Sequence, residues 1–273
     1  MYTEVISNIT EYLKLIHQTE FVNHNWYRGQ RYSEYMLEPS LFRDKKEVIT
    51  GDDYIQLRSY KFKDEDSALK IFKKEIAKIM NIEGFDEIHY LYLMQHYDIQ
   101  TRLLDFTTNA LIALYFSVSQ PNMIDKNAEQ HFFDFKSGMF DYNRESSSVF
   151  CINPMIVNHY TLNKEEVIDL SSYKFSTLKN LDFPVCIKPR NEKIDNRLSA
   201  QKGVFVYFGT EVHPLDYYEI QNKNILKIII PNSKRESIKR ELKKRFNIYH
   251  STVYPDMKGI TLEISEIMNK KYK

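Results

Sequence analysis

Three short segments carry residue types that bind anions and move protons. In Asn25-Trp26-Tyr27-Arg28-Gly29-Gln30 a permanent cation stands beside two aromatics and a residue without a side chain. A guanidinium delivered by an apolar segment suits a phosphate or carboxylate, and the neighbouring Gly29 lets another backbone or a ligand come close. The second segment runs from Gln95-His96-Tyr97 through Thr101-Arg102-Leu103-Leu104-Asp105 to Thr107-Thr108-Asn109. Histidine titrates near neutrality, so His96 is an acid–base candidate that Asp105 can orient, or Asp105 can instead balance Arg102. The bland alternative makes Arg102 and Asp105 a buried ion pair that fixes a turn, with Asp105 capping the next helix. The third segment, Asn196-Arg197-Leu198-Ser199-Ala200-Gln201-Lys202-Gly203, places an Arg, a Gln and a Gly ahead of a strand. A Gln side chain there can read a ligand edge, or the segment is an ordinary solvated turn.

Other chemistries lack their residues. No Gly-x-Gly-x-x-Gly, Gly-x-x-x-x-Gly-Lys-[Ser/Thr], Gly-x-Ser-x-Gly or His-Glu-x-x-His pattern occurs. Cys151 and Cys186 stand alone, with no Cys-x-x-Cys or Cys/His cluster, so no structural metal site is expected. A metal-dependent nuclease built on His96 and Asp105 would need a carboxylate cluster that the chain does not offer. The net charge of +1 excludes strong global steering toward nucleic acid, and the basic run Lys239, Arg240, Lys243, Lys244, Arg245 reads as a solvated helix face. The composition is 42% hydrophobic and 27% charged, with no apolar run approaching a membrane span, so a reduced, cytoplasmic protein without a membrane partner is expected.

The elements that must position these segments follow from periodicity. Val5, Ile6, Ile9, Leu13 and Ile16 predict an amphipathic helix within residues 1–20. Phe21 to Tyr27 reads as extended and delivers Arg28, and Asp44 to Asp66 reads as a polar loop. Leu69, Phe72, Ile76 and Ile79 predict a second helix, and Phe85 to Tyr97 a third. Thr107-Thr108-Asn109 supplies N-cap candidates for a helix over Ala110 to Phe116 that is apolar all round and therefore buried. Residues 121–148 read as a long loop or insertion. Val149 to Ile152, Val204 to Phe208 and Ile225 to Ile230 predict strands. Ser233-Lys234-Arg235-Glu236 is a capping-box pattern leading into a helix with Ile238, Leu242 and Phe246 on one face. Together these predict one α+β domain over residues 1–273, helix-rich in its N-terminal half, with a mixed or antiparallel β core in the second.

The chain resembles the FRG domain, a bacterial family named for an N-terminal Phe/Tyr-Arg-Gly. The resemblance rests on Trp26 to Gln30, Leu37-Glu38-Pro39-Ser40-Leu41-Phe42-Arg43, Gln95 through Asn109, Ala113 to Phe116, Arg197 through Phe205, and Val253-Tyr254-Pro255-Asp256-Met257-Lys258-Gly259. A looser similarity is to ADP-ribosyltransferases, in which an Arg anchors the phosphates of NAD, a Ser/Thr strand shapes the nicotinamide pocket, and a Glu stabilises the oxocarbenium-like transition state. That similarity implies an ADP-ribosyltransferase-like fold with NAD as cofactor. Arg28, Asp105 and Gln201 would be the catalytic trio, and Tyr27, Arg28, Gly29, His96, Arg102, Thr107, Thr108 and Arg197 the binding set. Gln201 departs from the pattern, because an amide cannot supply the negative charge of a Glu. The implied activity is an ADP-ribosyltransferase or NAD glycohydrolase with a protein or nucleic-acid acceptor, acting as a toxin or anti-phage effector. The alternative is a non-catalytic sensor of a nucleotide, small molecule or partner.

Overall fold

A computed structural model describes residues 1–43, 52–119, 146–189, 196–211, 213–218 and 223–270. Among these residues eight strands form one mixed sheet in the order β1-β8-β4-β2-β3-β7-β6-β5. They are β1 (Tyr2–Val5), β2 (Trp26–Gln30), β3 (Leu103–Thr107), β4 (Ser147–Ile152), β5 (Ile168–Asp169), β6 (Val185–Lys188), β7 (Gly203–Tyr207) and β8 (Ile225–Ile230). The two outermost pairs, β1/β8 and β5/β6, run parallel, and the other pairs run antiparallel. The expected α+β class with a mixed sheet is what the chain adopts.

Three apolar clusters divide the two faces of this sheet. One face carries a continuous layer in which Trp26, Leu104, Phe106, Phe150, Cys186 and Val206 pack with Leu37, Leu41 and Phe42. The opposite face is covered in two parts. Over β8, β4 and β2 lie the helices α1 (Ile9–Ile16) and α4 (Ala110–Val118), with Ile9, Tyr12, Ile112 and Ala113 against Tyr27, Val149 and Ile228. Over β3, β7 and β6 lie α2 (Asp52–Ile76) and α3 (Glu87–His96), with Leu69, Ile88 and Leu91 against Leu103, Val185 and Phe205. The border between the two coverings falls between β2 and β3.

That border is also where the ladder is weakest. β2 pairs with β4 over five residues, and β3 pairs with β7 over five. Between β2 and β3 the register holds one pair, Tyr27 with Thr107, and the strands part beyond it. Gly29 lies in the parted segment for a packing reason. A Cβ there would stand 1.9 Å from the carbonyl oxygen of Ala113 and 2.9 Å from Cβ of Phe116. The glycine thus admits another backbone, that of α4, which crosses β2 without the usual side-chain spacing.

Several expectations need correction. Tyr2–Val5 is an edge strand and the first helix starts only at Ile9, because the Asn8 side chain accepts from the Glu11 N–H at 2.9 Å and caps it there. Thr19–Phe21 is a 3₁₀ turn, and the extended segment begins at Trp26. From Asp52 onward the expected polar loop is helical; its apolar stripe is thin, with Leu69 and Ile76 the buried apolar residues of its described part, so periodicity gave little signal. Ser147 and Ser148, placed in the loop 121–148, open β4, while residues 120–145 lie outside the described ones. The helix expected from the Ser233 capping box starts at Asn232 with Pro231 at the N-cap position and no side-chain cap. Strands are not confined to the second half: β2 and β3 sit at the centre of the sheet, each flanked by a later strand.

Candidate active site

Arg28 occupies the middle of β2, where the strand has left β3, rather than a strand end. Its Nη1 donates to the backbone carbonyl of Asp105 at 2.6 Å and stands 3.8 Å from the Asp105 carboxylate. The guanidinium therefore bridges the gap where a ladder bond would otherwise run, and satisfies a carbonyl that the parting strands leave unpaired. The two side chains differ in exposure: that of Arg28 is 14% exposed, that of Asp105 59%. Burial, reinforced by the charge of Arg43 and opposed by Asp105, pushes the Arg28 guanidinium down to about 10, so it is still charged at neutral pH. Its Nε is buried with no hydrogen-bond partner among the described residues. A desolvated cation so incompletely paired gains from an added anion.

The Asp105 carboxylate is held from the other side by Gln95 near the end of α3. Gln95 Nε2 donates to Asp105 Oδ1 at 2.5 Å, and Gln95 Oε1 accepts from Thr101 Oγ1 at 2.5 Å. This relay fixes the amide so that its NH₂ faces the carboxylate. It assigns to Gln95 the orienting partnership that the sequence offered to His96.

Above this pair opens a cleft of about 400 Å³, within the range of small-molecule sites. It lies between α3 and α4 over the β2/β3 gap. Arg28, Gly29 and Asp105 line its floor, Gln95 and His96 one wall, and Phe116 another. The third wall comes from later in the chain: Arg197 of α5 (Asn196–Ala200), then Gln201, Phe205 and Tyr254. Tyr92, also lining the cleft, stacks on Phe205 with centroids 4.6 Å apart and planes 24° apart. Tyr254 meets Phe116 edge-on at 6.1 Å, and Arg197 lies over the Tyr254 ring at 5.1 Å. Arg197 Nε also donates to Asp256 at 2.5 Å. Burial works to raise the Asp256 carboxyl, but the Gly259 N–H and Arg197 outweigh it and hold it below its ordinary value. The cleft thus joins cationic groups to aromatic faces.

The structure brings Arg28, Gly29, His96, Asp105, Arg197 and Gln201 to one cleft. Tyr27 and Thr107 lie just beneath, around a hollow of about 60 Å³ that shares Arg28, Asp105 and Gln201 with it. Thr107 acts as a latch: its hydroxyl donates to the Gln201 carbonyl at 2.6 Å and accepts from the Asn109 N–H at 2.9 Å. Gln201 has its amide tied down, Nε2 donating to the Val253 carbonyl at 3.2 Å.

Two expected residues are elsewhere. Thr108 is exposed and donates its N–H to the Lys202 carbonyl, joining the two turns without lining the cleft. Arg102 does not pair with Asp105. Its guanidinium binds Glu65 of α2, its own N–H donates to Glu65 at 2.7 Å, and it lies over the Phe62 ring at 4.4 Å. It lines a separate cavity of about 220 Å³ with Glu65, Glu87 and Lys179. Burial pushes the Glu65 carboxyl up against the pull of Arg102. The residues that sequence reasoning left out are Gln95, Tyr92, Phe116, Phe205, Tyr254 and Asp256. Most of them stand inside the quoted family stretches, which was the available signal.

A mixed-sheet α+β protein with an arginine–carboxylate pair under an aromatic-walled cleft is the class that fold and site define. Residues 23–126 match the model of the FRG domain. The matched span supplies Arg28, Gln95, Asp105 and Phe116, while Arg197, Gln201 and Tyr254 come from beyond it. No curated protein and no solved structure matches the chain. Among the described residues no group of three or more His, Cys, Asp or Glu could hold a metal, and no helix is long and apolar enough to cross a membrane.

Proposed function

We propose that the cleft binds NAD or a related nucleotide and cleaves its N-glycosidic bond, as an ADP-ribosyltransferase or NAD glycohydrolase would. The observation that carries this reading is the side-by-side placement of Arg28 and Asp105 in the β2/β3 gap, beneath aromatic walls. Arg28 takes a phosphate through its buried charge, and Tyr254, Phe116 or the Tyr92–Phe205 stack takes a ring. Asp105, oriented by Gln95, faces the ribose. When the bond from C1′ to the nicotinamide nitrogen breaks, its electron pair leaves with nicotinamide and positive charge develops across C1′ and the ring oxygen. A fixed carboxylate stabilises that charge. Water, or a nucleophile of a protein or nucleic acid, then bonds to C1′ and releases its proton to solvent. Gln201 takes no electrostatic part, since its amide is neutral and bound to Val253.

Purified protein incubated with nicotinamide-labelled NAD is expected to release labelled nicotinamide, and Asp105→Asn to bind NAD while releasing none. Absence of both binding and release in the wild type contradicts the proposal. The tethered Gln201 amide favours a second reading, a sensor that binds the nucleotide without turning it over. That reading predicts saturable NAD binding with no product and the same affinity in Asp105→Asn.

A further inference from the structure

The Arg28–Asp105 pair stands at the junction of two cavities. Besides the aromatic-walled cleft, a second lobe of about 230 Å³ opens on its other side and shares Arg28, Gln95, Asp98 and Asp105 with the first. Among the described residues no aromatic ring lines this lobe, and its further polar groups are Ser40 and Arg43. The position of Arg43 is built rather than incidental. The 3₁₀ turn Ser40–Phe42 is pinned by the buried Leu41 and Phe42, and the Leu41 N–H donates to the Thr101 carbonyl at 3.2 Å. Arg43 follows that turn directly. Its Nε and Nη2 donate to the backbone carbonyl of Glu38 at 3.2 and 2.8 Å, so these bonds brace the guanidinium without neutralising it. The charges of Arg43 and Arg28 oppose each other, and Arg43 is the second largest influence disfavouring the charged form of Arg28. The lobe also holds the carboxylates of Asp98 and Asp105, yet the repulsion between its two guanidiniums is relieved by a ligand whose anionic groups reach both of them.

Resting on the nucleotide reading above, we propose that this lobe holds a second phosphoryl group, gripped between Arg28 and Arg43. The cleft then selects ligands with an aromatic ring and a diphosphate over those with a single phosphate. The ring occupies the aromatic lobe, one phosphate lies at Arg28, and the next reaches Arg43. This assigns Arg43 as a specificity-determining residue.

The test is calorimetric titration of AMP, ADP and inorganic pyrophosphate into the wild type, Arg43→Ala and Arg43→Lys. The wild type is expected to bind ADP more tightly than AMP. Arg43→Ala should lose about tenfold or more of its ADP and pyrophosphate affinity, the worth of one charge-assisted contact, with AMP changed by less than about twofold. Unchanged AMP binding also shows that the variant is folded. Arg43→Lys should fall between the two, because it keeps the charge and loses the planar fork. Equal losses for AMP and ADP, or no loss for ADP, overturn the assignment. If neither nucleotide binds the wild type but pyrophosphate does, in a manner dependent on Arg43, the nucleotide reading falls and the anion lobe stands. If none of the three binds, both fall.

Discussion

Replacing Arg28 by Ala removes two things at once, and their sizes can be separated. The first is structural. The guanidinium supplies the 2.6 Å bond to the Asp105 carbonyl that spans the parted strands, and its side chain is largely buried. Losing a charge-assisted bond to a buried carbonyl costs about 1.5–3 kcal/mol of stability. For a chain of this size that lowers the melting temperature by roughly 3–10 °C. The second is functional. A phosphate held by the same guanidinium loses a charge-assisted contact of similar worth, so nucleotide affinity falls about 10- to 100-fold. Arg28→Lys separates the two, because the ammonium keeps the charge but cannot both bridge to the carbonyl and fork onto a phosphate. It should recover most of the stability and only part of the affinity. Scanning calorimetry gives the first quantity and titration of NAD the second. A variant with wild-type melting and wild-type affinity refutes the reasoning entirely. Lost stability with unchanged affinity leaves Arg28 as a strand clasp and removes it from the site.

Gly29→Ala should destabilise by about 1–3 kcal/mol or more, since its Cβ would meet the Ala113 carbonyl at 1.9 Å and force α4 off the sheet; the denaturation midpoint measures this. Glu65→Ala should cost about 3–5 kcal/mol by leaving Arg102 buried and unpaired, while NAD affinity in the folded fraction stays within about twofold. Gln95→Ala frees one side of the Asp105 carboxylate and should lower nicotinamide release with little change in NAD binding, read as a fall in kcat at nearly constant KM. The Asp256 carboxyl is held below its ordinary value of 3.8, so its pairing with Arg197 is present at and above that pH. The contribution is lost as pH falls through the depressed value, and acid titration of Asp256→Asn should lack the step.

How far the site could be read from residues alone depended on whether local spacing or tertiary pairing decided the outcome. The buried helix over Ala110 to Val118 was legible because its apolar residues surround the axis and Asn109 precedes it, accepting from the N–H groups of Leu111 and Ile112. The Arg102–Asp105 pair was misread because three residues of separation look close in sequence. Each found a partner from far along the chain, Glu65 for Arg102 and Arg28 for Asp105. The first strand was hidden because Val5 and Ile6 continue the helical spacing of Ile9 and Ile16, and only Asn8 marks the break. Gln95 sat in plain view within a family stretch. Its role depends on Thr101 fixing the amide, a contact that periodicity does not encode.

The crystal structure of the protein grown with NAD at saturating concentration tests the central claim most directly. A phosphate oxygen within hydrogen-bond reach of the Arg28 guanidinium, with the ribose against Asp105 and a base ring against Tyr254, Phe116 or Tyr92, is the predicted result. An empty cleft at saturation, or a nucleotide bound away from β2 and β3, contradicts it.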